Sequence, residues 1–160
     1  MDQDTIFMQA ALEEAKKAQE IDEVPIGAVL VDPKENKIVA ASGNRTREQC
    51  DPTAHAEILC IRELCSWQEV QRIPGYDLYV TLEPCAMCAA AISFARLNRV
   101  IFGASDPKGG GILHGGKFFE QPTCHHKPEI THGVLADECG ELLTDFFKNK
   151  RDEKKAAKQT

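Results

Sequence analysis

The stretch DLYVTLEPCAMCAAAISFA, residues 77–95, joins a strand pattern to a helix pattern with almost no loop between them. Residues 77–82 are mostly aliphatic, aromatic or β-branched, which predicts a strand. Pro84 stands where a helix can begin, and the run of alanines after it indicates close packing of that helix on a sheet. Cys85 and Cys88 fall at the junction, so both thiols lie where the strand gives way to the helix.

The patterns on either side of this stretch predict an α/β fold with helices on the faces of a sheet. Residues 32–36 have turn chemistry between two strand patterns, which predicts a hairpin. The predicted elements are a first helix with an apolar stripe (Phe7, Ala11, Ala15, Ala18), strands over 27–31, 37–41, 77–82 and 99–104, a helix from Asp51 or Thr53 to about Cys65, and a C-terminal helix over 135–146. Residues 105–130 form the one long irregular stretch, and loops of that length are usually functional or disordered.

The composition predicts a single domain in a reducing compartment. The chain has 160 residues, of which 42% are hydrophobic and 28% charged, enough for a substantial core. No apolar run reaches membrane-spanning length, and the first residues lack the character of a signal peptide. The seven cysteines are odd in number and irregular in spacing apart from one pair, unlike a disulfide framework. We therefore expect a cytoplasmic protein without a membrane partner.

Positive charge collects at the end of the chain, although the net charge is −6. Residues 148–158 contain six lysines and arginines against Asp152 and Glu153. Such a segment can bind nucleic acid, or it can be a solvated, frayed terminus. We expect a domain over residues 1–150 and a basic, disordered tail over 151–160.

Three side chains of the metal-binding type and one carboxylate come from HAE (residues 55–57) and PCAMC (84–88). The two cysteines are three residues apart at the start of a helix, so both sulfurs face the same side, where the helix dipole favours thiolates. With one histidine they give a tetrahedral Zn²⁺ three ligands and one open position, at which water can be activated. Glu57 lies roughly 200° around the helix from His55, so it is placed to act as a base rather than as a ligand.

Spacing alone leaves other interpretations of the cysteine pair open. A Cys-x-x-Cys pair can be a redox couple. A structural zinc site would need a fourth ligand from Cys124, His125, His126, His132 or Cys139, and the first three of these could instead hold a second metal. The complete His-x-Glu…Pro-Cys-x-x-Cys pattern favours the zinc nucleobase deaminases, a known class in which the metal activates the attacking water.

The chain resembles the bacterial tRNA-specific adenosine deaminases of the cytidine deaminase-like superfamily over about residues 4 to 150. The resemblance rests on the segments PIGAVLV (25–31), GNR (43–45), DPTAHAEI (51–58), YVTLEPCAMC (79–88), VIFGA (100–104), LADEC (135–139) and FF (146–147). It implies a three-layer α/β/α sandwich with a mixed central sheet. It also implies one Zn²⁺ per subunit and a homodimer.

The same resemblance implies roles for individual residues. His55, Cys85 and Cys88 would hold the zinc, and Glu57 would be the catalytic residue that moves protons. The implied substrate contacts are Asn44 with the target base, Ile26 at the pocket wall, Asp106 beside the flanking nucleotides, and Phe146 and Phe147 where the last helix closes over them. From its chemistry alone, the amide of Asn44 suits an adenine edge, but an Asn after a Gly is also typical of a turn.

The region after Asp106 departs from the shorter Gly/Ser-rich loop that the resemblance predicts. It reads PKGGGILHGGKFF (107–119), followed by CHHK (124–127), so substrate contacts there are undefined. Residues 111–117 match the Gly-x-x-x-x-Gly-Lys phosphate loop. However, Phe118 occupies the position of the Mg²⁺-binding Ser or Thr, and no long strand precedes it, which excludes that function. A flexible loop, or one that orders on substrate binding, is the better interpretation.

The expected activity is hydrolytic deamination of adenosine to inosine at the wobble position of a tRNA anticodon loop, with release of ammonia. A free base or nucleoside such as guanine or cytidine is the alternative substrate, because the zinc machinery would be the same. A zinc-stabilised binding module is a third hypothesis, in which Glu57 would be dispensable. The Asn44-Arg45 element, the basic tail and the double Phe favour the tRNA anticodon stem-loop as the partner.

Overall fold

The computed structural model describes residues 1–159, which form five strands, four α-helices and a short 3-10 turn. In chain order, the elements are α1 (Gln3–Glu20), β1 (Gly27–Asp32), β2 (Lys37–Gly43), α2 (Ala56–Gln68), β3 (Asp77–Leu82), α3 (Ala86–Ala95), β4 (Arg99–Ala104), the 3-10 turn (Phe118–Glu120), β5 (Glu129–His132) and α4 (Ala136–Lys158). No helix in this part of the chain has the length and apolar character needed to cross a membrane.

The strands form one mixed sheet in the order β2-β1-β3-β4-β5. β1 pairs antiparallel with β2 and with β3, which confirms the predicted hairpin, whereas β3, β4 and β5 run parallel. Parallel neighbours need a crossover, and α3 supplies it between β3 and β4. The carboxyl ends of the parallel strands therefore share one edge of the sheet, where α/β folds usually place their sites.

Helices cover both faces of the sheet, which confirms the expected three-layer sandwich. α2 and α3 share a core with one set of strand residues, among them Leu78, Val80 and Phe102. α1 and α4 pack on the other face, around Tyr79 and Ile101. Alternate residues of β3 and β4 thus point to opposite layers, and both strands are buried along most of their length, as central strands covered on both faces are.

The start of α2 and the presence of β5 differ from the sequence expectations. α2 begins at Ala56 rather than near Asp51, because the carboxylate of Asp51 accepts hydrogen bonds from the N–H and the hydroxyl of Thr53 in a separate turn (2.8 and 2.7 Å). β5 has no counterpart among the predicted strands. It has only four residues, none of them buried, at the edge of the sheet, and therefore carries no apolar periodicity.

The last helix is longer than the sequence pattern indicates. α4 continues to Lys158, so residues 151–158 are helical where we expected disorder. Most of these residues are good helix formers, and Lys150 pairs with Glu153 less than one turn further on, at 3.5 Å. Lys150 also reaches Asp22, just beyond α1, at 2.5 Å. Residues 151–159 are all exposed, so the basic side chains of this extension face solvent.

Candidate active site

The three predicted metal ligands meet where two helices begin. His55 directly precedes α2 and Cys85 directly precedes α3, each with extended backbone at the N-cap position. Cys88 lies in the first turn of α3 and is buried. Nδ1 of His55 is 3.7 Å from Sγ of Cys85 and 3.5 Å from Sγ of Cys88. Within residues 1–159, no other group of three His, Cys, Asp or Glu side chains clusters closely enough to hold a metal ion.

The donor atoms and their spacing fit Zn²⁺. In a tetrahedral zinc site, Zn–N and Zn–S bonds of about 2.1 and 2.3 Å place the nitrogen and the sulfur about 3.6 Å apart. The two N···S distances, 3.7 and 3.5 Å, bracket that value. Two sulfurs and an imidazole also favour zinc over the hard divalent ions. These side chains can therefore hold the ion in nearly the positions they already occupy.

The residues considered as a fourth ligand lie elsewhere in the fold. Cys139 is buried in the core on the opposite face of the sheet. The ring of His132 stacks on Phe102, with 5.6 Å between the centroids. Cys124 contacts α3 instead, where its Sγ lies 3.6 Å from Oγ of Ser93. The cluster thus has the three protein ligands that are typical of catalytic rather than structural zinc sites.

The pKa values of the three ligand side chains are shifted in different directions. Hydrogen bonding with Cys88 and the contact with His55 lower the pKa of Cys85 to about 4, although burial opposes this. The neighbouring Cys85 and burial raise the pKa of Cys88. The contact with Cys85 raises the pKa of His55, with help from the charge of Glu57 and against the effect of burial. Metal binding requires thiolates and a neutral imidazole, so a dication would replace the protons that this cluster holds.

Glu57, the second residue of α2, is the buried carboxylate of the site. Its exposed fraction is 4%, and its side chain interacts with the Cys88 thiol and with His55. Burial raises the pKa of this carboxyl, and its own backbone N–H and the neighbouring imidazole only partly offset the rise. A carboxyl with a raised pKa can accept a proton and return it near neutral pH, as general acid–base catalysis requires.

Asn44 is buried and its side chain has a structural partner. Its Oδ1 accepts a hydrogen bond from the backbone N–H of Ala56 at 2.8 Å. Because the side chain of His55 makes no capping bond, Asn44 satisfies one of the free N–H groups at the start of α2. The backbone N–H of Asn44 in turn donates to the carbonyl of Ile26 at 3.0 Å. Asn44 therefore positions the helix that carries Glu57, whatever else its amide contacts.

The other predicted substrate residues occupy separate places. Ile26 is partly buried against the core that α2 and α3 share with the sheet. Asp106 shapes its own loop, since its Oδ1 accepts hydrogen bonds from two backbone N–H groups just after it, at 3.1 and 3.0 Å. On α4, Phe146 is buried and Phe147 is 46% exposed, with their ring centroids 5.5 Å apart. Only Phe147 of the two offers a free aromatic surface.

Sequence reasoning missed Glu83, which is 2% exposed and lies between β3 and the cysteine pair. Its carboxylate accepts five hydrogen bonds of 2.9 to 3.2 Å, from the backbone N–H groups of Asp106, Ile112, Leu113 and His114 and from the ring of His114. Burial raises the pKa of this carboxyl, but the hydrogen bonds outweigh burial and leave it below its usual value. The only sequence hint was an acidic residue directly before Pro-Cys in an otherwise apolar stretch.

Sequence comparison identifies the family. The family model of the cytidine and deoxycytidylate deaminase zinc-binding region matches residues 1–104. The tRNA-specific adenosine deaminase of Agrobacterium fabrum is 58% identical over 147 residues, which cover 92% of this chain and 95% of the relative. The enzyme of the same name from Bacillus subtilis is 45% identical over 161 residues, with 99% and 98% of the two chains covered.

Solved structures extend the comparison to the fold. A structure from work on A-to-I editing by tRNA:A34 deaminases at the wobble position of transfer RNA is 58% identical, with a TM-score of 0.84 over 87% of this chain and 99% of the other. A guanine deaminase from Nitrosomonas europaea has a TM-score of 0.77 at 20% identity, over 89% and 83% of the two chains, which shows the shared fold alone. The chain therefore belongs to the tRNA-specific adenosine deaminases of the cytidine and deoxycytidylate deaminase zinc-binding family.

Proposed function

We propose that this chain is a zinc-dependent hydrolase that converts adenosine to inosine at the wobble position of a tRNA anticodon loop and releases ammonia. The observation that carries this proposal is the buried carboxylate of Glu57 beside a three-ligand site, in a chain 58% identical to a tRNA-specific adenosine deaminase. The free-base alternative has weaker support, because this chain is only 20% identical in sequence to the guanine deaminase and the two share the fold alone. Membership of a deaminase family also argues against a binding module without catalysis.

The chemistry divides between the metal and one side chain. A Zn²⁺ held by His55, Cys85 and Cys88 would supply a Lewis acid that makes water nucleophilic near neutral pH. Glu57 accepts the first proton that the attacking water loses and delivers it to N1 of the adenine ring. It then carries the second proton of that water to the departing amine. The C6–N bond breaks, a C6–O bond has formed, and adenosine plus water have become inosine plus ammonia.

The proposed substrate contacts follow from the polar atoms and ring surfaces of each side chain that are not already bonded within the protein. Asn44 would meet the target base through its amide nitrogen, because its Oδ1 is bonded to the start of α2. Ile26 would form part of the pocket wall, while Asp106 would act by shaping the loop that the flanking nucleotides meet. Phe147 offers a ring on which an unstacked base can lie, and the buried ring of Phe146 packs against it in a T-shaped contact.

The proposed assembly is a homodimer with one Zn²⁺ per subunit. We place it in the cytoplasm because its proposed substrate, tRNA, is found there. Trp67 on α2 and Phe94 on α3 support a protein contact, because they are 78% and 65% exposed on the helical layer that carries the metal ligands. Large exposed aromatic side chains are enriched at interfaces. Residues 1–150 would form the deaminase domain, and 151–160 would be a basic extension that binds RNA.

A substrate comparison with the zinc-loaded protein tests the function. Ammonia release should be at least about a hundredfold faster on an anticodon stem-loop with a wobble adenosine than on free adenosine, because the loop contacts hold the base in place. A stem-loop with guanosine at that position is the matched control and should be inert. Comparable rates on free guanine or cytidine would establish the alternative substrate. A protein that is monomeric by light scattering at micromolar concentration would refute the dimer.

A further inference from the structure

We propose that Glu83 is a positioning residue that sets the affinity for the RNA substrate. It does so by fixing residues 106–114, called here the glycine loop, against residues 83–86, called here the metal-ligand turn. The substrate part of this proposal rests on the proposed function, whereas the structural part does not. Glu83 is two residues before Cys85, so its backbone belongs to the metal-ligand turn. Its carboxylate, in contrast, is bonded entirely to the glycine loop.

The carboxylate binds both ends of the glycine loop at once. Oε2 accepts hydrogen bonds from the consecutive backbone N–H groups of Ile112, Leu113 and His114, at 3.2, 2.9 and 3.2 Å. Oε1 accepts from the N–H of Asp106 at 3.0 Å and lies 2.9 Å from Nδ1 of His114. Without this acceptor, the buried N–H of Ile112 and the half-buried N–H groups of Asp106, Leu113 and His114 would lose their partner, and each such loss is unfavourable.

The glycine loop also touches the turn through its backbone. The N–H of Gly111 donates to the carbonyl of Pro84 at 2.8 Å. A Cβ on Gly111 would lie 2.5 Å from the nitrogen of Ala86, the first residue of α3, and a Cβ on Gly110 would lie 2.2 Å from Oε2 of Glu83. Approaches this close are possible only for glycine. The need for glycine at positions 110 and 111 is therefore explained by packing against the metal-ligand turn.

This packing lets the glycine loop act on substrate binding. The segment lies directly on the metal-ligand turn, against Pro84, Cys85 and Ala86, so it forms a fixed wall beside the metal ligands. A wall that is already ordered lowers the entropic cost of holding the nucleotides around the target base. If the wall is loosened while zinc and Glu57 stay in place, binding should weaken more than the chemical step, which appears as a raised KM with little change in kcat.

The first test is Glu83→Gln in the zinc-loaded full chain. The amide keeps the shape of the carboxylate, but its NH₂ group is a donor and now faces the N–H groups whose hydrogen bonds a carboxylate oxygen had accepted. We expect KM for the wobble-adenosine stem-loop to rise about tenfold and kcat to stay within about threefold. Zinc content should match the wild type, and amide hydrogen exchange over 106–114 should accelerate at least about tenfold. Glu120→Gln removes the same charge from an exposed site in the same connection between β4 and β5, and should change none of these quantities.

A second pair of variants perturbs the contact from the loop side and decides the question if Glu83→Gln does not fold. Gly110→Ala places a methyl group on the Glu83 carboxylate, whereas a Cβ on Gly116 meets nothing within 4 Å. Gly110→Ala should raise KM and loop exchange as above, and Gly116→Ala should behave as the wild type. Loss of zinc, a fall in kcat at constant KM, or unchanged loop exchange would each overturn the proposal. If the wild type does not deaminate the stem-loop, the proposed function fails, but the exchange data still decide whether Glu83 fixes the loop.

Discussion

Replacing Glu57 by Gln should separate catalysis from folding at this site. Gln has nearly the same shape but cannot accept a proton, so turnover on the stem-loop should fall by about 10²- to 10⁴-fold, the usual share of general acid–base catalysis. At about 1.36 kcal/mol per tenfold change in rate, this is about 2.7 to 5.4 kcal/mol of transition-state stabilisation. Zinc content should stay at the wild-type level, since the three ligands are unchanged.

The same substitution should not destabilise the metal-free fold. Burial raises the pKa of Glu57 above its ordinary value. A carboxyl with a raised folded pKa stabilises the protein fully below its unfolded pKa, and this contribution is lost as the pH rises through the folded pKa. At pH 7 the ionised form is therefore unfavourable at a position that is only 4% exposed, and a neutral amide relieves this penalty. We expect the Tm of the metal-free variant to be unchanged or higher.

Three measurements on one preparation decide the matter: zinc content, thermal melting, and ammonia release at saturating stem-loop. Glu63→Gln is the matched control, because Glu63 is an exposed carboxylate on the same helix. It should leave all three measurements at the wild-type level. Turnover of the zinc-loaded Glu57→Gln protein within tenfold of the wild type would refute the proton-transfer role. A variant that no longer retains zinc would show that Glu57 supports the metal rather than the chemistry.

Three further predictions concern the cap, the metal and the basic extension. Asn44→Ala removes the acceptor for the first N–H of α2 and should lower the free energy of unfolding by about 1–2 kcal/mol, which corresponds to a fall in Tm of about 2–8 °C. An unchanged melting curve would contradict the capping role. Zinc affinity, measured by chelator competition, should fall as the pH is lowered, by about tenfold per pH unit above the raised pKa of His55 and about a hundredfold per unit below it. The reason is that Cys88 must release a proton to bind zinc at any of these pH values, and the imidazole must also release one below its pKa. A pH-independent affinity would refute this ligand set. Changing Lys154 and Lys155 to Gln should reduce the salt dependence of RNA binding, with the slope of log K against log salt falling by about 0.7 per lost phosphate contact, and an unchanged slope would place the extension outside the interface.

The central strands could be predicted because their signal is local. β3 and β4 have the predicted bounds, 77–82 and 99–104, since strands buried on both faces carry continuous apolar runs that end at turn residues. The start of α2 depends instead on Asn44, which reaches Ala56 from 12 residues away in the chain. β5 forms because β4 offers it a free edge, and a four-residue edge strand without buried side chains leaves no pattern of its own.

The same distinction holds within the site. The metal ligands could be predicted because the spacings His-x-Glu and Cys-x-x-Cys are short and limit the chemistry to few possibilities. Glu83 could not, because its partners lie 23 to 31 residues away in a segment without periodicity. Glu23 is a second case: it is fully buried, and its carboxylate accepts the backbone N–H groups of Arg47 and Glu48 in the segment that leads to His55. Such carboxylates are recognised only once the loops they hold are seen.

The way in which the two helices begin gives a physical reason for this pattern. His55 and Cys85 both occupy N-cap positions, where a side chain normally bonds to the free N–H groups of its own helix, and neither makes such a bond. Their donor atoms instead face one another and Cys88 at the metal position, so other contacts stabilise these helix ends. Asn44 does so for α2, and the glycine loop, held by Glu83, packs on the start of α3. The contacts that local patterns fail to indicate are thus the ones that hold the helix ends from which the metal ligands project.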